Sequence, residues 1–303
     1  PYMQQWNATI EYELAKNTAF RVSYLGNKGT RLERNANINE PAMAPGVIQP
    51  RRPFQPWGPI TYWESGRNSI LHQLQVSLVR RYASGLTFQF EYQFSRALNE
   101  FTFGDAPFNP LDFRYDRGNQ DGIRRHWAVL NYAYDLPFGQ GKRFGSGVSK
   151  GMNYLIGGWQ VSGIMSMGTG QPYSVGFTPT LLGWLPSRAN LVSTYAAATP
   201  ANRSIDRWFD PAAFQTPAPF TFGNSARNAL FGPGVWTWDS ALFKNIQLTE
   251  RLRASLRFES FNMLNRANFG IPLNNISVPA TVGRITSTVV EPRTIQFGFR
   301  LDF

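Results

Sequence analysis

The last eleven residues, Arg293 to Phe303 (RTIQFGFRLDF), change character at every position. Ile295, Phe297, Phe299, Leu301 and Phe303 fall on one face of an extended chain. Thr294, Gln296, Gly298, Arg300 and Asp302 fall on the other, because strand side chains alternate with period two. A strand buried in a soluble sandwich would alternate too, but it would seldom end the chain on an aromatic in register with its apolar face. A membrane barrel strand has lipid on one side and water on the other, and needs this pattern along its whole length.

The 303 residues are 15% aromatic and 16% charged, with 27 Gly and 21 Pro, a composition of many strands and many turns. No run approaches the roughly 18 to 20 apolar residues of a spanning helix, which excludes a helical membrane protein but not a barrel. There is no cysteine, hence no disulfide and no thiolate metal site. The net charge of +11 could serve nucleic acid. The basic residues are nevertheless spread through loops and strand faces without forming one patch, which suits anionic lipid head groups and speaks against nucleic acid as a partner. The chain opens at Pro1 without the signal peptide that an exported protein requires, so it reads as a mature or truncated piece.

The terminal rhythm recurs upstream. Residues 5–15 set Trp6, Ala8, Ile10, Tyr12 and Leu14 against Asn7, Thr9, Glu11 and Glu13. A short polar link, 16–18, leads to a second strand with Phe20, Val22 and Tyr24 on one face. Residues 28–68 show no period and read as a long loop. In 69–82, Leu74, Val76 and Leu78 oppose Gln73, Gln75 and Ser77; after the turn at Ala83-Ser84-Gly85, Leu86, Phe88, Phe90, Tyr92 and Phe94 oppose Thr87, Gln89, Glu91, Gln93 and Ser95. Further strands are expected over 124–136, 154–168, 234–246 and 251–263. Between them lie a polar loop at 99–123, a Gly/Lys-rich link at 137–153, a long irregular region at 169–233 and a last loop at 264–292, in which 283–287 could add a short strand.

Long and short connections therefore alternate, as between the extracellular and periplasmic rims of a barrel. At about 3.3 Å per residue and roughly 40° of tilt, ten residues span about 25 Å, the height of the apolar band. The fold class expected is all-β, an antiparallel transmembrane β-barrel segment of about nine spanning strands with long extracellular loops and short periplasmic turns. Single-chain bacterial barrels have even strand numbers, and an open edge in hydrocarbon leaves backbone groups unsatisfied. Residues 1–303 are thus expected to be the C-terminal portion of one larger barrel domain.

Six segments support a family resemblance: Tyr24 to Thr30 (YLGNKGT), Arg124 to Phe138 (RRHWAVLNYAYDLPF), Trp208 to Phe214 (WFDPAAF), Phe222 to Asn228 (FGNSARN), Arg257 to Asn265 (RFESFNMLN) and Gly283 to Ser287 (GRITS). In this order they resemble the C-terminal barrel of TonB-dependent outer-membrane transporters, in particular the Oar-like branch. The resemblance implies a barrel of about 22 strands around an N-terminal plug. It implies an outer-membrane location and energy-coupled uptake of a bulky or scarce solute, with the TonB complex engaged through the plug region missing from this sequence. The terminal aromatic also resembles the C-terminal signature of outer-membrane barrels, which implies that Phe303 is an assembly signal read by the outer-membrane assembly machinery. Membrane lipid and lipopolysaccharide are the other expected partners. The rival reading is a structural or adhesive barrel that anchors surface loops.

Enzyme chemistry finds little support. Gly147-Val-Ser-Lys-Gly151 matches the G-x-S-x-G elbow, but it sits in the Gly/Lys link, and His72 and His126 are the chain's two histidines. Two histidines and no cysteine also argue against zinc, and no cofactor is expected. The run from Asp116 to Gly122 (DRGNQDG) resembles a calcium loop, yet the EF-hand register would put Arg117 at the first ligand and Ala128 at the bidentate glutamate; it reads as a solvated turn. Arg253, Arg257 and Glu259 form an inward ladder that could contact solute. Tyr62 and Trp63 stand among loop aromatics (Phe54, Trp57, Trp184, Trp208) that could bind a ligand from outside. Trp6, Trp159, Trp236 and Trp238 suit interfacial girdles.

Overall fold

The structure is a computed structural model and describes residues 1–100, 109, 112–179 and 188–303; Trp184 lies outside them. In chain order the first strands are β1 (Tyr2–Ala15), β2 (Thr18–Asn37), β3 (Thr61–Ala83), β4 (Leu86–Asn99), β5 (Gly118–Asn119), β6 (His126–Asp135) and β7 (Trp159–Gly168). After them come β8 (Pro172–Tyr173), β9 (Asn190–Leu191), β10 (Phe214–Gln215), β11 (Leu230–Phe231), β12 (Val235–Gln247), β13 (Arg253–Phe261) and β14 (Thr294–Asp302). Nine of these build one antiparallel sheet in the order β1-β2-β3-β4-β6-β7-β12-β13-β14, and β5 is a short addition to β4.

The register shows why the alternation is so regular. Tyr24 faces Leu74, which faces Phe94; Phe90 faces Leu130, which faces Met165; Leu242 faces Phe258, which faces Phe297. One face is thus a continuous field of aliphatic and aromatic groups, with Ile10 and Phe297 each 76% exposed and Phe303 98% exposed. The opposite face pairs Ser23 with Gln75 and Gln75 with Gln93, then Gln89 with Asn131 and Arg257 with Gly298. A one-residue slip anywhere would exchange the two faces, which is what holds the register.

At one rim short turns join β1 to β2, β3 to β4 and β12 to β13, while a longer link, residues 136–158, joins β6 to β7. Ser84 and Gly85 connect β3 to β4 with φ of 53° and 82°, the left-handed pair of a type I′ turn. The Trp6 indole lies over Gly26, where a Cβ would come within 2.0 Å of its ring, so a larger residue there would displace the indole. Trp238, also in the loop-side half of its strand, donates to the Tyr132 hydroxyl at 3.1 Å.

Several boundaries differ from expectation. Strands β2 and β3 stay paired out to Asn37 and Thr61, beyond the membrane band, where 28–68 reads as patternless. That stretch has mixed polarity on both faces, because lipid no longer contacts either one. Residues 150–156, expected as the end of the Gly/Lys-rich link and the start of a strand, are helical: α1 (Lys150–Ile156) starts at Ser149, whose Oγ accepts from the Met152 amide at 3.3 Å. The elbow serine is therefore a helix cap. Residues 283–287 form a turn and coil, without the short strand.

The largest correction concerns 169–233. It is not merely irregular, because it contains the principal buried cluster among the described residues: Tyr173, Val175, Ala189, Phe209, Phe214 and Leu230, with smaller residues between. Two small sheets, β9–β10 and β8–β11, frame it. The next loop joins through Gly176 N–H to Asn274 O (2.9 Å) and Ile285 N–H to Ile205 O (2.7 Å). The long loops thus fold together into a cap at one rim.

A cation breaks the apolar row. Lys244 lies between Leu242 and Ile246 on that face of β12, yet it is only 4% exposed. Its Nζ donates to the carbonyls of Leu155 (3.1 Å) and Gly157 and sits 4.8 Å from the Trp159 ring centre. It thereby satisfies the C-terminal end of α1. Lys244→Met keeps the packing but leaves those carbonyls unmet, at about 1–3 kcal/mol. Amide exchange across 150–157 is expected to accelerate while exchange in β12 and β13 holds; unchanged exchange in α1 would remove this role from Lys244.

Candidate functional site

The polar face is the surface on which solute chemistry could occur. Its side chains bond along and across strands. Ser77 Oγ donates to Glu91 Oε1 at 2.6 Å, and Gln89 Nε2 reaches the same oxygen at 2.9 Å. Gln75 Nε2 donates to Gln73 Oε1 and Gln73 Nε2 to Ser95 Oγ, both at 3.0 Å. Arg21 pairs with Glu11 at 2.8 Å. At Ser77–Glu91 and Gln73–Ser95 a short side chain opposite a long one lets the bond close across the strands, while Glu11 and Arg21 face each other as opposite charges.

Further along the same face lies an open cavity of about 560 Å³, lined among others by Gln89, Asn131, Asp239, Phe243, Arg257 and Glu259. Arg257 forms an ion pair with Glu259, and its guanidinium lies 5.2 Å from the Phe243 ring centre. The arginine is half exposed, so one side of the guanidinium remains open to a solute. Such an arrangement can orient and bind a polar or charged molecule.

Of the residues singled out from sequence, Arg257 and Glu259 come together in this cavity. Arg253 shares their row but turns to Gln247 Oε1 at 3.1 Å, at the tight-turn rim. Tyr62 and Trp63, 48% and 58% exposed, sit on the outer extension of β3, which β4, β6, β7 and β12 separate from β13. They face Ala36 and Asn35 and belong to the rim, not to the Arg257 cavity.

A second cluster has no counterpart in the sequence reading. Asp116 is 2% exposed and faces Arg188 at 3.6 Å and Arg67 at 3.7 Å, both guanidiniums also buried. Arg188 stacks 3.6 Å from the Tyr115 ring centre. Nearby, Arg227 donates to Asn99 Oδ1 at 2.6 Å and pairs with Asp121, while Asn228 Nδ2 bonds Asn119 O (2.8 Å) and Asp121 Oδ1 (2.6 Å). The run 116–122 is therefore neither a solvated turn nor arranged around a cation. Its carboxylates receive guanidiniums from the loop cap and from β3. Burial lifts the Asp116 carboxyl above its usual range, against the pull of Arg188 and then Arg67, and burial lowers Arg188. Only the paired acids of 116–121 hinted at this cluster in the sequence, since the arginines lie 49 to 111 residues away.

An antiparallel sheet with one lipid-type face, one hydrogen-bonded polar face, tight turns at one rim and folded loops at the other defines a membrane β-barrel wall. The chain belongs to the outer membrane beta barrel domain family, whose model matches residues 1–296, and its place is the outer membrane. Among solved structures it is similar to the outer membrane transporter YddB from Escherichia coli (9% identity, TM-score 0.51), over 99% of this chain and 32% of that one. It is similar also to P. aeruginosa FpvA bound to heterologous pyoverdines (10%, TM-score 0.50, 99% and 27%) and to FpvAI in complex with pyocin S2 (10%, TM-score 0.51, 99% and 27%). At these identities the likeness establishes the fold alone. The chain spans about a third or less of the length of those proteins. No curated protein matches it.

Proposed function

We propose that this chain is the C-terminal wall of a TonB-dependent outer-membrane transporter of the Oar-like branch, which takes up a bulky or scarce solute. The observation that carries the reading is the continuous polar face with the half-open Arg257–Glu259 pair in its cavity. Any barrel lumen is polar, but a guanidinium left half open toward a cavity has capacity to meet solute, where an anchor needs only charges satisfied by one another. Both lateral strands of the sheet, β1 and β14, are unpaired on one side among the described residues. In hydrocarbon such edges require partners, so the remaining strands of a roughly 22-stranded barrel, and the plug that meets TonB, would come from elsewhere in the protein. The likeness to YddB, described as an outer membrane transporter, supports the same class.

The test uses the full-length protein. Arg257→Ala with Glu259→Ala removes a partly exposed pair, whose stability contribution is within about 1 kcal/mol. Normal barrel levels with uptake reduced several-fold are expected. Unchanged uptake of every solute the wild type accumulates would leave the pair a structural strut.

One observation favours a second reading, a barrel that displays surface structure for adhesion. The loops carry their own apolar core and buried ion cluster, more order than a simple mouth requires. A plug domain and TonB box in the upstream sequence would decide for transport, and their absence for display.

A further inference from the structure

The apolar face of the sheet holds a second cavity, of about 880 Å³, at the loop end of β4, β6, β7 and β12. Its floor is made by Phe90, Tyr92, Ala128 and Met167, all from the lipid-facing rows. The loop cap leans over it with Trp208 and Phe231, so the space lies between membrane surface and overhang. Three arginines line it, each held against an aromatic ring: Arg125 5.1 Å from Phe231, Arg203 5.0 Å from Trp208 and Arg266 5.3 Å from Trp236. Among the described residues no carboxylate lines the cavity, and none of the ion pairs involves these arginines. The Trp236 indole N–H is buried there without a hydrogen-bond partner in the chain.

Lipid tails alone do not explain this composition. Charged side chains on a membrane-facing surface are costly in hydrocarbon and find their favourable place at the head-group level. Long loops mark the extracellular rim of such barrels, so this level is that of the outer leaflet. Guanidiniums bind phosphate oxygens through paired, charge-assisted hydrogen bonds. Stacking on the rings keeps the three forks oriented and limits the rotamer entropy lost on binding. An aromatic and aliphatic floor beneath them matches acyl chain.

We propose that this cavity binds one phosphorylated glycolipid of the outer leaflet, with its phosphates on Arg125, Arg203 and Arg266 and its chains along Phe90, Tyr92 and Met167. Trp236 Nε1–H donates to a ligand oxygen. The assignment rests on the outer-membrane location and not on transport, so either can fail without the other.

The experiment titrates purified full-length protein in detergent micelles with bis-phosphorylated lipid A and counts bound lipid by native mass spectrometry. One tightly held lipid A is expected. Affinity should fall roughly tenfold or more when both phosphates are removed, or in Arg125→Gln/Arg203→Gln/Arg266→Gln, because charge-assisted bonds are lost. Heat-modified gel migration reports whether the variant is folded. If it is not, the dephosphorylated ligand on wild-type protein and Arg266→Gln alone give the answer. Equal binding of phosphorylated and dephosphorylated lipid A, or an undiminished folded variant, would overturn the site. Competition by phosphatidylglycerol or by inorganic pyrophosphate at matched concentration would reassign it to a general anionic lipid or a soluble phosphate, and so would also overturn the glycolipid assignment.

Discussion

Replacing Asp116 with alanine is expected to release the long loops from the rim while the barrel strands stay folded. The carboxylate is the shared anion of Arg67, on β3, and Arg188, in the cap. Removing it sets two buried guanidiniums against each other without it, and breaking one side of a buried ion cluster costs about 3–5 kcal/mol. The strands do not depend on it, because their ladders are independent of the cap. Faster hydrogen exchange and protease cutting in 112–125 and 188–230, with unchanged exchange in β4 and β6, is the expected pattern. Asp116→Asn keeps shape and hydrogen-bonding capacity and should do less harm. Equal protection in the alanine variant and the wild type would remove Asp116 from this role.

The pH dependence of the cluster should run opposite to that of an exposed Arg–Asp pair. The Asp116 carboxyl is raised because burial outweighs the attraction of its arginines. A carboxyl with a higher pKa in the folded state holds its proton more tightly there. Ionising it therefore costs stability as the pH rises through the folded value, and protonating it on the way down does not. Lowering the pH from about 7 to 5 should leave loop protection intact once intrinsic exchange rates are corrected. Loops that open over that interval would show that the ionised pair dominates.

Deletion of Phe303 is expected to lower the amount of inserted protein by a large factor while barely changing molecules already inserted. Its ring ends the apolar row begun at Ile295 and is 98% exposed at the tight-turn rim. Burying such a group in lipid contributes roughly 1.5 to 3 kcal/mol, too little to unfold a sheet of nine strands. Among the described residues strand β14 lies at an edge of the sheet, with backbone groups open for pairing on one side. We propose that the assembly machinery docks there by strand addition, with the terminal aromatic as anchor. Surface labelling of cells, set beside heat resistance of the detergent-refolded variant, separates the two effects. Normal surface levels would leave Phe303 as an ordinary lipid-facing residue.

The lipid-spanning sheet was legible from sequence to within a few residues at most strand ends. From Leu74 to Phe94 and from Leu256 to Phe299, each side chain reports its own face, because lipid and water impose opposite demands at every second position. The same logic located Arg257 and Glu259 on the polar side. Where lipid contact ended, legibility ended with it: β2 and β3 continue to Asn37 and Thr61 without a readable period. Helix α1 was hidden because its seven residues depend on the Ser149 cap and on Lys244, which reaches the Leu155 carbonyl from 89 residues further along the chain.

The sequence by itself determined the all-β class, the two faces, the alternation of tight turns with long loops and the aromatic end of β14. All of these follow from local periodicity under a two-sided solvent. Only the tertiary structure decided that the loops form one cap, that Asp116 lies between Arg67 and Arg188, and that Arg125, Arg203 and Arg266 meet over a lipid-facing cavity. Those arrangements join residues far apart in the chain. A charge buried by a distant partner looks, within its own segment, the same as a charge left in water.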